Sequence, residues 1–171
     1  MIGSSDQSLV RRIRRGDRRA AEALAGRHLE RAYRVAMGIT GARFLADDAV
    51  QDAFERAFRK LSSYDEQRPF APWLHRIVVN CALNLVTRRP PTVELIEDAH
   101  AAGDSTGDAV DLIAALQELE PDKRVVMVMR VVLGFSPAET AEALGLPVGT
   151  VHSRLSRALA ELRQLLGSTS S

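Results

Sequence analysis

Cysteine is almost missing from this chain. Cys81 stands alone, so no internal disulfide can form and a cysteine-built metal cluster is excluded. Its apolar neighbours read it as a buried small hydrophobe rather than a redox sensor. Aromatics are scarce too, at 5% of 171 residues with one Trp and two Tyr, whereas hydrophobic residues reach 46%. Any core is therefore aliphatic and alanine-rich. No convincing alternation of apolar and polar residues marks a strand, which points to an all-helical protein. No stretch approaches the ~18 apolar residues of a membrane span. Met1 to Asp6 is polar and no apolar segment follows it, which speaks against a secretory leader. The expectation is a cytoplasmic protein with no membrane contact of its own. His28, His75, His100 and His152 are scattered. No nucleophile–base constellation, phosphate-cradling glycine loop or metal-spaced ligand set occurs, so no cofactor and no enzymatic activity are expected.

Excess charge is also missing, but the net +1 hides a division. Residues 1–89 carry 17 Lys+Arg against 10 Asp+Glu; residues 90–110 carry none against 5; residues 111–171 carry 6 against 7. A basic first half, an acidic connector and a nearly neutral end follow. The expected organisation is all-α: a helical domain over 1–89, a flexible acidic linker over 90–110, and a second helical domain over 111–171. The linker holds two prolines and two glycines and lacks sustained periodicity; a short helix near Val93 to Ala102 is the most it could form.

Within the first domain, Ser8 to Gly26 reads as one helix studded with Arg11, Arg12, Arg14, Arg15, Arg18 and Arg19, with Gly16-Asp17 as the place where it could break. A second helix covers about Arg27 to Ile39, bracketed by Gly38 and Gly41. Leu45 to Leu61 is the cleanest amphipathic segment. Val50, Phe54, Ala57, Phe58 and Leu61 form its inward stripe; Asp48, Gln51, Asp52, Glu55, Arg56 and Arg59 face out. Ser62 to Pro72 reads as a loop and Ala71 to Arg89 as a helix stopped by Pro90-Pro91. In the second domain Asp111 to Leu119 is helical, Glu120-Pro121-Asp122 restarts a helix, and Lys123 to Leu133 is apolar on nearly every side, so it should be the buried centre.

Leu133 to Leu166 carries the sharpest signal. Ser136, Pro137 and Glu139 write a helix start: a hydroxyl cap, a proline at the first helical position and a glutamate reaching back. Gly145 ends that helix where a left-handed residue is wanted. A second helix starts at about Pro147, with Val151, Leu155, Leu159, Leu162 and Leu166 inward at helical spacing. Thr150, Ser153, Arg154 and Arg157 fall on another face near its start. This is the layout of a helix-turn-helix, whose second helix presents its first residues to base edges in the major groove; an ordinary helical hairpin is the plain alternative.

Taken in order, the segments resemble the extracytoplasmic-function sigma factors of bacterial RNA polymerase. DDAVQDAFERAFRKL resembles the family's polymerase-clamp-binding helix, RPFAPWLHRIVVNCALNLVTRR its promoter-melting and −10-reading helix, and ELEPDKRVVMVMRVVLGFSPAETAEALGLPVGTVHSRLSRALAELR its −35-reading domain. The basic helical start resembles the family's opening segment. The resemblance implies core RNA polymerase, promoter DNA and an anti-sigma factor as partners. It implies docking on polymerase through Asp47, Asp48, Gln51, Asp52, Glu55 and Arg56. It implies −10 reading and melting through Tyr64, Asp65, Arg68, Arg76, Asn80, Asn84, Arg88 and Arg89, with asparagine suited to bidentate contact with base edges. Tyr64, Asp65 and Arg68, in a polar loop, are the candidates for the displaced strand, whereas Trp73 shares a stripe with Leu74 and Ile77 and reads as core. It implies −35 reading through Thr150, His152, Ser153, Arg154 and Arg157, with Arg154 as the base reader. Where the family often has an aspartate and a longer arginine cluster after the Asn80 position, this chain has Asn84 and only Arg88 and Arg89; where it often has a lysine, His152 stands. Two other readings compete: a free-standing helix-turn-helix regulator, which would bind DNA without polymerase, and a sigma-like decoy, which would bind an anti-sigma factor and no DNA.

Overall fold

In the computed structural model residues 5–88 and 107–168 are described; the short helix expected near 93–102 and most of the acidic linker lie outside them. The described residues form helices joined by turns and loops, with no strand among them. Helix α1 spans Asp6–Arg14, α2 Arg18–Thr40, α3 Arg43–Arg59 and α4 Phe70–Arg88, with one 3₁₀ turn at Leu61–Ser63. Beyond the linker come α5 (Gly107–Gln117), α6 (Pro121–Met127), α7 (Pro137–Leu144) and α8 (Val148–Ser168).

The chain does break at Gly16-Asp17. Gly16 adopts φ +88°, and Asp17 caps the new helix by accepting from the Ala20 amide at 3.2 Å while its other oxygen takes Arg12 at 2.9 Å. The break expected near Gly26 does not occur. Gly26 lies on the exposed side of a continuous α2, where a helical glycine costs only about 1 kcal/mol. The helix ends instead at Gly41, left-handed at φ +65°, whose amide bonds the Met37 carbonyl at 2.8 Å. Similarly, α4 starts at Phe70, one residue ahead of the expected Ala71. Proline is harmless in a first turn, whose amides have no helical partner anyway, and burying Phe70 draws the start back.

Helices α2, α3 and α4 form the first bundle, with α1 across α2. Along α3 the inward positions Ala46, Ala49, Ala53 and Ala57 are all buried, so α2 and α4 approach it closely. Leu24, Ile39, Leu45, Phe70, Leu74, Val78 and Val79 fill the core between them. In the second bundle, Leu116, Leu119, Val125, Val126 and Met129 pack against Val151, Ala158 and Leu162 of α8. The capping box forms as the sequence predicts: the Glu139 amide donates to Ser136 Oγ at 3.1 Å and the Ser136 amide to Glu139 Oε2 at 2.8 Å. Gly145 takes the left-handed cap at φ +63°. One expectation is corrected. The apolar run from Lys123 to Leu133 is buried only as far as Met129, because the helix widens into a π turn over Val128–Val132 that swings Val131 and Val132 to the surface.

The two bundles pack on one another, and their buried residues form one continuous core. Arg124 Nη1 donates to the Ile39 carbonyl at 2.7 Å, Gln117 Nε2 to the Gly38 carbonyl at 3.3 Å, and Arg76 pairs with Glu142 at 3.3 Å. A side chain at Gly38 would meet Val128 Cγ2 at 3.3 Å, so the glycine permits this close approach.

Candidate nucleic-acid interface

Burial of Val151, Ala158 and Leu162 fixes the rotation of α8. That rotation leaves His152, Ser153, Ser156 and Arg157 exposed on one face and Thr150 half-buried beside them. Ser153 Oγ donates to the Thr150 carbonyl at 3.0 Å, so the hydroxyl starts out satisfied by its own helix. Arg154 is not on the open face. Its side chain retains 25% exposure and its guanidinium pairs with Asp122 at the start of α6, at 2.7 Å. Ser156 was not singled out in the sequence, although its spacing of four from His152 and three from Ser153 puts it on the same face.

On α4, Asn80, Asn84 and Arg88 recur one turn apart and all three are exposed. Arg76 is one turn earlier on that stripe and half-buried, with Nη1 on Glu142 of α7. Arg89 lies outside the described residues. Between the 3₁₀ turn and α4, Asp65 and Arg68 are exposed and pair at 3.7 Å. Tyr64 is a correction. It is 3% exposed, not in a polar loop surface, with its ring edge-on to Phe70 at 5.4 Å and tilted on Trp73 at 5.1 Å. Its hydroxyl donates back to the Arg68 carbonyl. An aromatic cluster at the loop base gains more from burying the ring than from offering it to solvent, so Tyr64 supports the loop and cannot be a stacking platform as it stands. Trp73 is half-buried in the same cluster, as its stripe predicts.

On α3, Asp47, Gln51 and Glu55 are exposed along one line, with Asp48 and Asp52 half-buried beside it. Gln51 Nε2 donates to Glu55 Oε1 at 3.3 Å. Arg56 forks onto Asp52, with both nitrogen–oxygen distances 2.7 Å, which neutralises that acid. Sequence reasoning missed Phe44. It is 57% exposed at the head of this line, three and four residues before Asp47 and Asp48.

Three surfaces thus stand on two bundles: an acidic-polar line on α3, an amide-and-arginine stripe on α4, and a small polar and cationic face on α8. The Sigma-70 region 2 family model matches residues 24–90 and the Sigma-70 region 4 model matches residues 109–162. The ECF RNA polymerase sigma factor SigM of Mycobacterium tuberculosis is 39% identical over 168 residues, covering 95% of this chain and 85% of that one. The chain belongs to the extracytoplasmic-function sigma factors. The ECF RNA polymerase sigma-E factor of Escherichia coli K12 is 32% identical, with 90% of each chain covered. Among solved structures, CnrH in complex with the cytosolic domain of CnrY superposes with a TM-score of 0.71 at 30% identity, over 98% of this chain and 100% of that one. RpoE of Bartonella quintana, solved with the anti-sigma factor NepR, gives 0.68 at 25% identity over 85% and 96%.

The protein is therefore an alternative sigma factor, directing transcription initiation with RNA polymerase. Its matched family is one of transcription regulators. Among the described residues no helix is long and apolar enough to cross a membrane, and no cluster of three or more His, Cys, Asp or Glu could hold a metal ion.

Two buried titratable groups in this sigma factor lie on the inward side of α4. Burial, reinforced by the nearby Asp52, pushes the Cys81 thiol up to about 12, which removes the thiolate a redox sensor needs. His75 is buried, and its Nε2 has no hydrogen-bond partner among the described groups. Burial, aided by Arg31 and His28, holds its pKa down to about 4 against an ordinary 6.5. The unfolded chain therefore takes up a proton on His75 at a pH where the folded chain refuses it. Stability is full above 6.5 and is lost as pH falls toward 4. Between about pH 7 and about pH 5 this residue alone should cost about 2 kcal/mol. Urea unfolding at the two pH values should show that drop, and His75→Leu should abolish it.

Proposed function

We propose that this sigma factor docks on core polymerase through the α3 line of Asp47, Asp48, Gln51, Asp52, Glu55 and Arg56. Asn80, Asn84, Arg76, Arg88 and Arg89 then read the −10 element while Asp65 and Arg68 meet the displaced strand. Thr150, His152, Ser153, Arg154 and Arg157 read the −35 element. The chain performs no catalysis itself; it acts in the cytoplasm, and an anti-sigma factor holds it in reserve.

The observation that carries this reading is the pairing, in one chain, of an exposed Asn80–Asn84–Arg88 stripe with an exposed helix-turn-helix face of His152, Ser153 and Arg157. A free-standing regulator would need only the second. Arg76 and Arg154 fit despite being held by Glu142 and Asp122. Those acids are mostly exposed, and pairs of that kind are worth at most about 1 kcal/mol. A bidentate arginine–guanine contact discriminates by about 1–3 kcal/mol, so DNA outcompetes the internal acid. The second domain's near-neutral charge favours weak DNA binding alone, because affinity rests largely on phosphate neutralisation. Two weak contacts gain by being joined on one scaffold. The anti-sigma proposal is supported by the RpoE relative solved with NepR.

The test is co-elution with purified core polymerase. The chain should bind core without DNA, and joint replacement of Asp47, Gln51 and Glu55 by lysine should weaken that binding at least about tenfold by reversing the charge of the docking line. Equal binding by this variant would remove α3 from the interface.

A further inference from the structure

We propose that Arg14 is a positioning residue for strand separation: from α1 it ties down the backbone of the 61–66 segment and thereby holds Asp65 and Arg68 where the unpaired strand must be met. The proposal rests on the reading that this loop meets that strand.

A loop that captures an unstacked base must be ordered beforehand, because each residue ordered at the moment of capture costs about 1–2 kcal/mol. On the side of this loop that faces α1, one guanidinium ties the main chain. Arg14 Nη2 donates to the Leu61 carbonyl and to the Tyr64 carbonyl, each at 2.8 Å. Its Nε adds a 3.3 Å bond to Leu61, and its Nη1 pairs with Glu66 Oε1. Arg11 takes the other Glu66 oxygen at 3.3 Å. Within the loop, the Gln67 amide donates to Asp65 Oδ1 at 3.0 Å and the Arg68 amide to the Asp65 carbonyl at 3.1 Å. The Tyr64 ring pins the base of the loop to Phe70 and Trp73. The ties thus run to α1 and to the aromatic cluster, and Asp65, Gln67 and Arg68 are left exposed.

The tie needs arginine. Three acceptors in different directions demand a planar fork, which a lysine ammonium cannot match at once. It also divides the basic opening helix: Arg14 and Arg11 face the loop and Arg12 faces Asp17, so these three cations are spent on the protein's own structure.

The experiment uses the full chain with core polymerase and compares open-complex formation on a duplex promoter with initiation from the same promoter carrying a pre-melted −10 bubble. Arg14→Met should lower opening of the duplex about tenfold or more, equivalent to about 1.4 kcal/mol or more on the melting step. Core affinity should stay unchanged, and initiation from the bubble should lose less than about threefold, since strand separation, a cost of a few kcal/mol, is already met there. Arg14→Lys should fall between Met and wild type. Glu66→Gln, which loosens the pairs with Arg14 and Arg11 and leaves both Arg14 carbonyl bonds, should give a smaller loss in the same direction. Duplex opening by Arg14→Met equal to wild type would overturn the proposal. So would parallel losses on duplex, bubble and core binding, which would mean general destabilisation of the first bundle. If the wild-type chain with core opens no promoter, the underlying reading fails and the proposal falls with it.

Discussion

Replacing Arg124 by methionine should destabilise this sigma factor by about 3 kcal/mol or more, the largest single-residue effect expected outside the apolar core. Arg124 is 5% exposed. It forms no ion pair among the described residues; its guanidinium is satisfied by main-chain carbonyls. Nε donates to Leu116, Nη1 to Ile39 and Nη2 to Gln117 and Leu119, all within 2.7–2.8 Å. Leu116 and Gln117 close α5, and Ile39 lies in the last turn of α2. Each helix end carries carbonyls without a helical partner and the negative pole of its dipole, so one cation caps two helices, one from each bundle. Burial lowers the Arg124 pKa to about 10, which still leaves it charged at neutral pH. Methionine has similar bulk but leaves these carbonyls with one partner fewer, at about 1–3 kcal/mol for each group left buried and unpaired. Thermal unfolding should shift down by roughly 10 °C, and Arg124→Lys should recover only part of the loss, since an ammonium cannot fork to four acceptors. A variant as stable as wild type would show that the cap contributes nothing net.

The second large effect is on transcription. Arg157 is exposed on α8 and makes no ion pair among the described residues, so nothing internal competes with DNA for it. Arg157→Ala should lower initiation from promoters that depend on a −35 element by about 5- to 150-fold, the range set by 1–3 kcal/mol of lost base or phosphate contact. Arg154→Ala should act in the same direction but less steeply, because the wild-type residue must first leave Asp122. Core affinity should be unchanged in both, as α8 lies on the other bundle from α3. Parallel loss of core binding and initiation would remove α8 from the −35 contact.

Much of this was legible in the sequence. The capping box at Ser136 and Glu139, the left-handed Gly145 and the Val151 stripe all depend on neighbours within a turn or two, and local chemistry decides them. The division at Gly16-Asp17 was legible for the same reason. What escaped was decided at long range. Gly26 looked like a terminator, but α2 runs through it because the residues on both sides pack on one bundle. Tyr64 looked like a loop residue, but Phe70 and Trp73, six and nine positions on, draw its ring inward. Arg154 has a base reader's position on the helical wheel, yet the start of α6 places Asp122 beside it. Arg124 gave no signal within its apolar run, since the helix ends it caps come from distant parts of the chain. Phe44 could have been found: an aromatic ahead of an acidic amphipathic helix, on the outward line.

Run-off transcription from a promoter library, with purified bacterial core polymerase and with or without this chain, tests the central claim most directly. Transcripts that appear only with the chain, sharing one −35 and one −10 sequence, are the predicted result. A folded chain that binds core and yields no specific transcript would contradict it.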